Sequence, residues 1–454
     1  MLHPSSESSV IGEGAFGCVI KPSLECGNKK ISYKNKVSKV MISKEAIKEL
    51  GEYTIISKID KNKQFYLGRP KLCNIKKTKR AILAIEKCDH LKKKYLKNNS
   101  VKNGLKMFNL LVMEDGGINL KMLANMVEVM PNTHLHVLKV KKIWVEMHRL
   151  FMGILTFQKH GIVHHDIKPQ NIVFNKHNNR VNFIDFGHMR NIKFEIKKCI
   201  KSDNWIYDYS FWNYPFEIQY LNKNDYMYFA SKSDIEKNRH FNRLLSDLHN
   251  DAETKFVDAF SIFFDYIVHN KNRIEEKEFV DKYLFAYHKL LVDQIKPGQY
   301  DEVLQKSVHT IDTYGLGMSL FYLLNCSGKF LKPDFIYEME TCLFNMTTPN
   351  LLQRFTIQES VDTFENILIQ FGFIEELGFV LENHQIKKIH SNNYKLFKNM
   401  QIIEPSDISI KKMSESRLKK ALKRPDCPTG YKVNMETQKC YPVHAHKKTR
   451  TRHK

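Results

Sequence analysis

The sequence predicts an α+β fold in which a small strand-rich unit precedes a larger helical one. Two observations carry this. The first 120 residues read as short apolar strands with one helix, and after the breaker Asp115-Gly116-Gly117 long helical patterns dominate. Internal repeats at solenoid periods are absent from the sequence, so the plan is not an array.

Taken in order, Ile11 to Lys21 reads as strand, glycine turn and strand, and Lys36 to Met41 as a further apolar strand. Lys44 to Asp60 has helical spacing, with Ile47, Leu50, Ile55, Ile56 and Ile59 proposed for its packing face. Phe108 to Glu114 reads as a buried strand. Val137 to His160 is a long helix that sets Ile143, Met147, Leu150, Phe151, Ile154 and Leu155 on one side, and Thr310 to Leu324 is a strongly apolar helix. The charged, helical stretch from about Leu221 to Lys306 looks inserted between two parts of the helical unit, and after about Lys395 the periodicity fades into a basic linker.

Composition narrows the class. A chain of 454 residues with 42% hydrophobic content can bury a core, which excludes wholesale disorder. The apolar runs are too short to cross a bilayer, and the start MLHPSSESSV lacks the pattern of a secretory signal, so no membrane partner and a cytosolic or nuclear location are expected. Nine cysteines without a CxxC predict mostly reduced thiols and no disulfide framework. The net charge of +23 implies an acidic partner, and Lys411 to Lys454 holds 14 Lys/Arg against 3 Asp/Glu. That tail is either simply solvated or docks on an acidic surface such as nucleic acid.

Several segments carry chemistry. Gly12-Glu13-Gly14-Ala15-Phe16-Gly17-Cys18-Val19, in a strand–turn–strand, would let backbone amides approach phosphate oxygens. Alone it is weak, because an ordinary tight hairpin looks the same. Lys39 stands among apolar strand residues and needs a partner if buried. The following helix offers Glu45, Glu49 and Glu52; Glu52 fits the apolar face best, with Glu49 the alternative at the shorter spacing. In Val163-His164-His165-Asp166-Ile167-Lys168-Pro169-Gln170-Asn171, Asp166 could accept the proton of an attacking hydroxyl. Lys168 could neutralise a transferring phosphoryl group, and Asn171 could ligate a divalent metal. Asp185, in Ile184-Asp185-Phe186-Gly187, suits Mg²⁺ coordination at a strand end.

The ordered set of glycine loop, lysine, HxDxKxxN and DFG resembles eukaryotic-type protein kinases, over roughly Val10 to Phe371 with the insertion set aside. The resemblance implies a bilobal protein-kinase-like fold: an N-lobe over 1–116 and a C-lobe over 117–395 with a helical insertion at about 221–306. It implies that ATP lies under the glycine loop, from Ile11 and Gly12 to Val19, and that Lys39 pairs with a helix glutamate, Glu52 by preference. By the same likeness Met113 lines the back of the adenine pocket, Glu114 and Asp115 open the hinge, Asp166 is the catalytic base, and Asn171 and Asp185 hold Mg²⁺. Lys168, two residues after the aspartate, is similar to serine/threonine kinases, so the implied substrates are proteins with Ser or Thr acceptors. Tyr214-Pro215-Phe216-Glu217 is similar to the segment ending the activation loop, and Asp312-Thr313-Tyr314-Gly315-Leu316-Gly317 to the start of the central helix. Arg354 looks like the late arginine that pairs with Glu217.

The chain departs from that pattern in places. His165 replaces the arginine that normally grips a phosphorylated activation loop, which suggests an enzyme independent of such phosphorylation. Phe216 replaces the proline of the activation-loop end. The insertion is either a passive excursion or a docking surface. Beyond the basic linker at 396–424, residues 425–454 carry Asp426-Cys427-Pro428-Thr429-Gly430-Tyr431-Lys432-Val433-Asn434 followed by Thr437 and Cys440. This resembles the two-cysteine adaptor module fused to kinases of large DNA viruses, iridoviruses especially. That likeness implies a viral protein of the host cytoplasm, virion or nucleus, with a virion component or nucleic acid as partner of the tail. A Cys427–Cys440 disulfide, or zinc on Cys427, Cys440, His444 and His446, stand as alternatives for this segment. A non-catalytic scaffold and a nucleic-acid-binding protein are the competing functional classes.

Overall fold

The computed structural model describes residues 8–14, 17–27, 31–96, 101–204 and 211–388, with the backbone of Tyr431–Val433 and Cys440–Pro442. It is a mixed α+β molecule: a five-stranded sheet in the N-terminal region and a mostly helical remainder. Strands β1 (Ser9–Gly14), β2 (Gly17–Lys21), β3 (Lys36–Ile42), β4 (Lys71–Asn74) and β5 (Phe108–Glu114) form the antiparallel order β1-β2-β3-β5-β4. Period-2 alternation divides the two faces. Val40, Leu110 and Val112 pack in one core with Cys18 and Ile20, while Met41 and Leu111 pack on the other face against Ala46 of α1 (Ser43–Ile59). On α1 the buried residues are Ala46, Tyr53 and Ile56, whereas Ile47 is 60% exposed. Leu50, Ile55 and Ile59 pack partly buried against the cores, so of the residues that carry the helical spacing only Ile47 faces outward.

The first 120 residues hold more helix than the sequence indicates. Helix α2 (Lys79–Glu86) buries Ala81, Ala84 and Ile85, and Thr78 caps it by accepting from the Ala81 N–H at 3.1 Å. Short turns α3 (Asp89–Leu91) and α4 (Val101–Gly104) follow. Flanking lysines mask this apolar stripe in the sequence.

The expectation of mostly reduced thiols without a disulfide framework is also corrected. Cys18 is bonded to Cys88 and Cys26 to Cys73, with Cα separations of 6.2 and 5.6 Å. These pairs lie 70 and 47 residues apart and meet only because the sheet folds over them, so spacing motifs could not reveal them. Cys199, Cys326 and Cys342 are free and buried.

The helical part is built around α6 (His134–Lys159) and α12 (Tyr300–Ser327). Every residue from Thr310 to Leu324 is buried, which explains the unbroken apolar run. Helix α5 (Leu120–Val129) precedes α6, and there are two small sheets: β6-β8-β9 (Ile118–Asn119, Ile172–Asn175, Arg180–Phe183) and β10-β7 (Arg190–Asn191, Ile162–Val163). Helix α7 (Ile192–Ile200) follows β10.

The stretch expected as an insertion forms α8 (Lys223–Ala230), α9 (Asp234–His249), α10 (Lys255–Ile267) and α11 (Arg273–Lys289). The charged end of that stretch, with Asp301, Glu302 and Lys306, forms the first turns of α12. The stretch is packed into the helical core. Phe216 meets the rings of Phe256, Phe260 and Phe263 at 5.5–5.6 Å, and the Tyr283 and Tyr314 hydroxyls lie 2.9 Å apart. Helices α13 (Pro333–Thr347), α14 (Ile357–Gln370) and α15 (Phe373–Glu376) and the hairpin β11–β12 (Phe379–Glu382, Gln385–Lys388) close the helical part. Strands β13 (Tyr431–Val433) and β14 (Cys440–Pro442) pair antiparallel. No helix among the described residues is long and apolar enough to cross a membrane.

Candidate functional site

The register of the sheet gathers the first group of candidates. Lys39 lies opposite Val19 on one side and Leu111 on the other, and Val37 lies opposite Met113. Alternation puts Val19, Val37, Lys39, Leu111 and Met113 on one face, the face that α1 covers. The β1–β2 hairpin closes beside it. Gly17 is required there, since a Cβ would stand 2.2 Å from the Val40 carbonyl oxygen. Ile11 is 50% exposed at the start of the hairpin, and Gly12 and Glu13 are exposed. Ala15 and Phe16 lie outside the described residues. Glu114 pairs with Lys36, and Asp115 with Lys21 at 2.6 Å, where β5 leaves the sheet.

Lys39 Nζ donates to Glu49 Oε2 at 2.6 Å, so Glu49 and not Glu52 is its partner. The reason is the connection: α1 starts directly after β3, with Ile42 as its N-cap. No loop separates strand from helix, and the glutamate one turn earlier than Glu52 faces the lysine. Burial alone would lower the Lys39 pKa, but Glu49 and Asp185 outweigh it and hold the ammonium charged. Glu52 turns toward the glycine after Asp185, with its Oε2 3.2 Å from where a Gly187 Cβ would be.

The second group sits on the loop between β7 and β8. Asp166 is buried at 8% exposure, and its carboxylate is held from three directions. Lys168 Nζ donates to both oxygens at 2.8 and 2.9 Å, Asn171 Nδ2 to Oδ2 at 2.7 Å and Asn213 Nδ2 to Oδ1 at 3.0 Å. Asn171 Nδ2 also donates to the Asp166 carbonyl at 2.9 Å. The loop hangs from α12: the Asp312 carboxylate accepts from the His164 N–H at 2.6 Å and the His165 N–H at 2.9 Å. Full burial pushes Asp312 up to about 6, against those two hydrogen bonds. Gly315 permits this close docking, because a Cβ there would stand 2.4 Å from the Ile167 carbonyl oxygen. His165 adopts a left-handed φ of 68°, and Asp185 one of 63°. Two such non-glycine residues cost of order 1–3 kcal/mol each, and the hydrogen bonds around the loop hold them there.

The loop then meets the strand that delivers Asp185. Ile184 N–H donates to the Asn171 carbonyl at 2.9 Å, which brings Asn171 and Asp185 side by side. Phe186 is buried among Tyr53 of α1 at 5.3 Å, Tyr66 at 6.0 Å and His164 at 5.2 Å. Burial opposes ionisation of Asp185, yet Lys39 and Lys168 lower its pKa below the ordinary aspartate value. The set can therefore hold a divalent cation: an ionised Asp185 stands beside Asn171, whose amide nitrogen is spent on Asp166 and whose Oδ1 is left for a ligand.

Asn213 is the participant that the sequence does not announce. It stands between Trp212 and Tyr214 with no motif around it; the only cue is a polar residue in an aromatic run just before Tyr214-Pro215-Phe216-Glu217. Beneath that segment, Glu217 and Arg354 form the expected pair across 137 residues. Both side chains are fully buried, with Arg354 Nη2 to Glu217 Oε2 at 3.0 Å, Ser307 Oγ to Glu217 at 3.1 Å, and Arg354 Nε to the Thr348 carbonyl at 2.7 Å.

A cavity of about 430 Å³ lies elsewhere, beside His269 and Leu324, and not between the sheet and the Asp166 loop. The site is thus assigned on converging charges and not on concavity. The basic linker and the side chains of the two-cysteine segment, with Cys427, Cys440, His444 and His446, lie outside the described residues. No protein-family model matches the chain, and no curated protein matches it.

Proposed function

We propose that this chain is a protein serine/threonine kinase of the eukaryotic type, with a bilobal kinase-like architecture, transferring the γ-phosphate of ATP to Ser or Thr hydroxyls. One observation carries the reading: Asp166, Lys168, Asn171, Asp185 and the Lys39–Glu49 pair, spread over 147 residues of sequence, converge between the sheet and the helical part.

Each side chain then has a task. Lys39, held charged by Glu49, binds phosphate oxygens, and the glycine hairpin with Ile11 and Val19 covers the nucleotide above it. Met113 and Glu114 border the adenine at the end of β5. Asp166, fixed by Asn171 and Asn213, accepts the proton of the substrate hydroxyl. Lys168 stands against the transferring phosphoryl group. Asn171 and Asp185 would hold Mg²⁺, which when bound neutralises charge on the phosphates. Catalysis rests on positioning and charge neutralisation. The resemblance of the tail to viral adaptor modules supports a large DNA virus as source and an acidic virion component or nucleic acid as a tail partner.

The test is transfer of label from γ-labelled ATP to a basic protein and to the chain itself, with phosphoamino-acid analysis. Wild type runs beside Asp185→Asn and Lys39→Met. Label on Ser or Thr in wild type alone sustains the reading. Folded, ATP-binding protein with no transfer above the variants overturns it in favour of a scaffold.

A further inference from the structure

Three side chains outside the candidate site converge within the helical part. Glu128 ends α5, His269 follows α10, and Cys326 lies in the last turn of α12. Their donor atoms all fall within 4.8 Å of one another. Glu128 Oε2 is 3.6 Å from His269 Nε2 and 4.0 Å from Cys326 Sγ. Tetrahedral zinc, with bonds of about 2.0–2.3 Å, separates N from O by about 3.3 Å and S from O by about 3.6 Å. The two separations from Glu128 Oε2 exceed that arrangement by only a few tenths of an ångström.

The surroundings orient these atoms. Asn270 Nδ2 donates to Glu128 Oε1 at 3.3 Å, and Lys329 Nζ to the Glu128 carbonyl at 2.6 Å, which leaves Oε2 turned to the centre. Tyr322 packs on the His269 ring at 4.7 Å and fixes its plane. His269 Nε2 is buried, yet it has no hydrogen-bond partner among the described residues. A buried ring nitrogen aimed at a carboxylate and a thiol, without a hydrogen bond of its own, is what a ligand position looks like before the ion is added. His269 also lines the cavity of about 430 Å³, which gives an entry path.

We propose that Glu128, His269 and Cys326 form a zinc site that staples the α10–α11 segment to α5 and α12. Imidazole, thiolate and carboxylate suit zinc over calcium or magnesium, and three protein donors leave a fourth position for water. Binding converts the Cys326 thiol to a thiolate, with one proton released to solvent. This site is independent of the kinase reading.

The test uses the full chain with Cys427→Ser and Cys440→Ser throughout, so that tail donors do not contribute. Metal-free protein is titrated with zinc and, separately, with cobalt(II). One zinc per chain, a thiolate-to-cobalt charge-transfer band lost in Cys326→Ser, and an affinity at least about tenfold weaker in His269→Ala are expected. Because Cys326 is buried and its replacement could unfold the chain, Glu128→Gln and His269→Ala, both partly exposed, serve as the folded controls by circular dichroism. Absence of stoichiometric zinc in the parent, or zinc held equally by Glu128→Gln and His269→Ala, overturns the site.

Discussion

The chain contains two lysine- or arginine-to-glutamate pairs built from similar groups and set to different tasks. Lys39–Glu49 joins β3 to α1 and keeps 18% and 13% side-chain exposure; Arg354–Glu217 joins the end of α14's lead-in loop to the segment before α8 and keeps none. The first has an open side facing Asp185, so its charge is available to a ligand. The second spends its donors inside the protein, on Glu217 and the Thr348 carbonyl, and Ser307 donates to the same carboxylate. An ion pair that is fully satisfied internally has nothing left to offer a substrate, whereas one held at an edge can act on whatever enters. Exposure and remaining valence, not charge, separate the pair proposed to act on a ligand from the internally satisfied one.

Breaking each pair should therefore move different observables. The largest effect is expected at the proposed base beside the first pair's site: Asp166→Asn should lower kcat by about 10²–10⁴-fold with little change in unfolding midpoint. Lys39→Met should act likewise on activity, checked by transfer assays beside denaturant melts. Glu217→Gln or Arg354→Met should do the reverse at the level of the fold, costing about 3–5 kcal/mol because a buried charge is left alone. Urea unfolding of the two single variants and of Glu217→Leu/Arg354→Met checks this, with part of the loss recovered in the double variant. Equal stability losses for Lys39→Met and Arg354→Met would erase the distinction.

Acid sharpens the contrast further. Burial pushes His164 down to about 4 and His165 to about 3, so both are neutral in the folded loop at pH 7. In the unfolded chain they charge near pH 6.5. The stability they contribute is complete above about 6.5 and is lost as pH falls toward those lower values, by about 3 kcal/mol for His164 alone by pH 4. Asp312 opposes this, since its raised value lets the folded state take up a proton first, near 6. The two histidines outweigh it, and stability should fall on acidification. His164→Asn should flatten the slope in melts recorded from pH 7 to 4. The same Asp312 proton weakens the acceptor of the His164 and His165 amides, so activity should decline through about pH 6 before the fold is lost.

Much of this was legible in the sequence because the chemistry is local. Asp166, Lys168 and Asn171 lie within one loop, and their spacing alone brings them together. The Glu217–Arg354 pair was legible only through a family resemblance, since nothing in spacing links residues 137 apart. Where inference failed, the cause was tertiary. The choice of Glu52 over Glu49 took Ile55, Ile56 and Ile59 as the guide to the packing face; these three do pack, but the direct β3–α1 junction sets Glu49 against Lys39. Asn213 and the Glu128–His269–Cys326 cluster are assembled wholly by packing, and the two disulfides by the fold of the sheet.

The smallest expected effect concerns His165. An arginine at this position would offer a permanent cation to a phosphorylated activation loop. Here the side chain is a histidine, 1% exposed, pushed down to about 3 by burial and by His188 and Arg190 nearby. It carries no charge at pH 7, so a phosphate on the segment after Gly187 would find no cation at this point. The left-handed φ of 68° and the Asp312 hydrogen bond hold the loop in place without one. Replacing Ser202, Tyr207, Tyr209 and Ser210 by Ala or Phe should accordingly change kcat/KM by less than about threefold, an effect within about 0.7 kcal/mol. Phosphatase treatment of wild type should do no more. Loss of nearly all activity in that variant, with the melt unchanged and with His165→Arg restoring phosphate-dependent activation, would show that loop order depends on phosphorylation after all, and would return His165 to the regulatory role that its burial argues against.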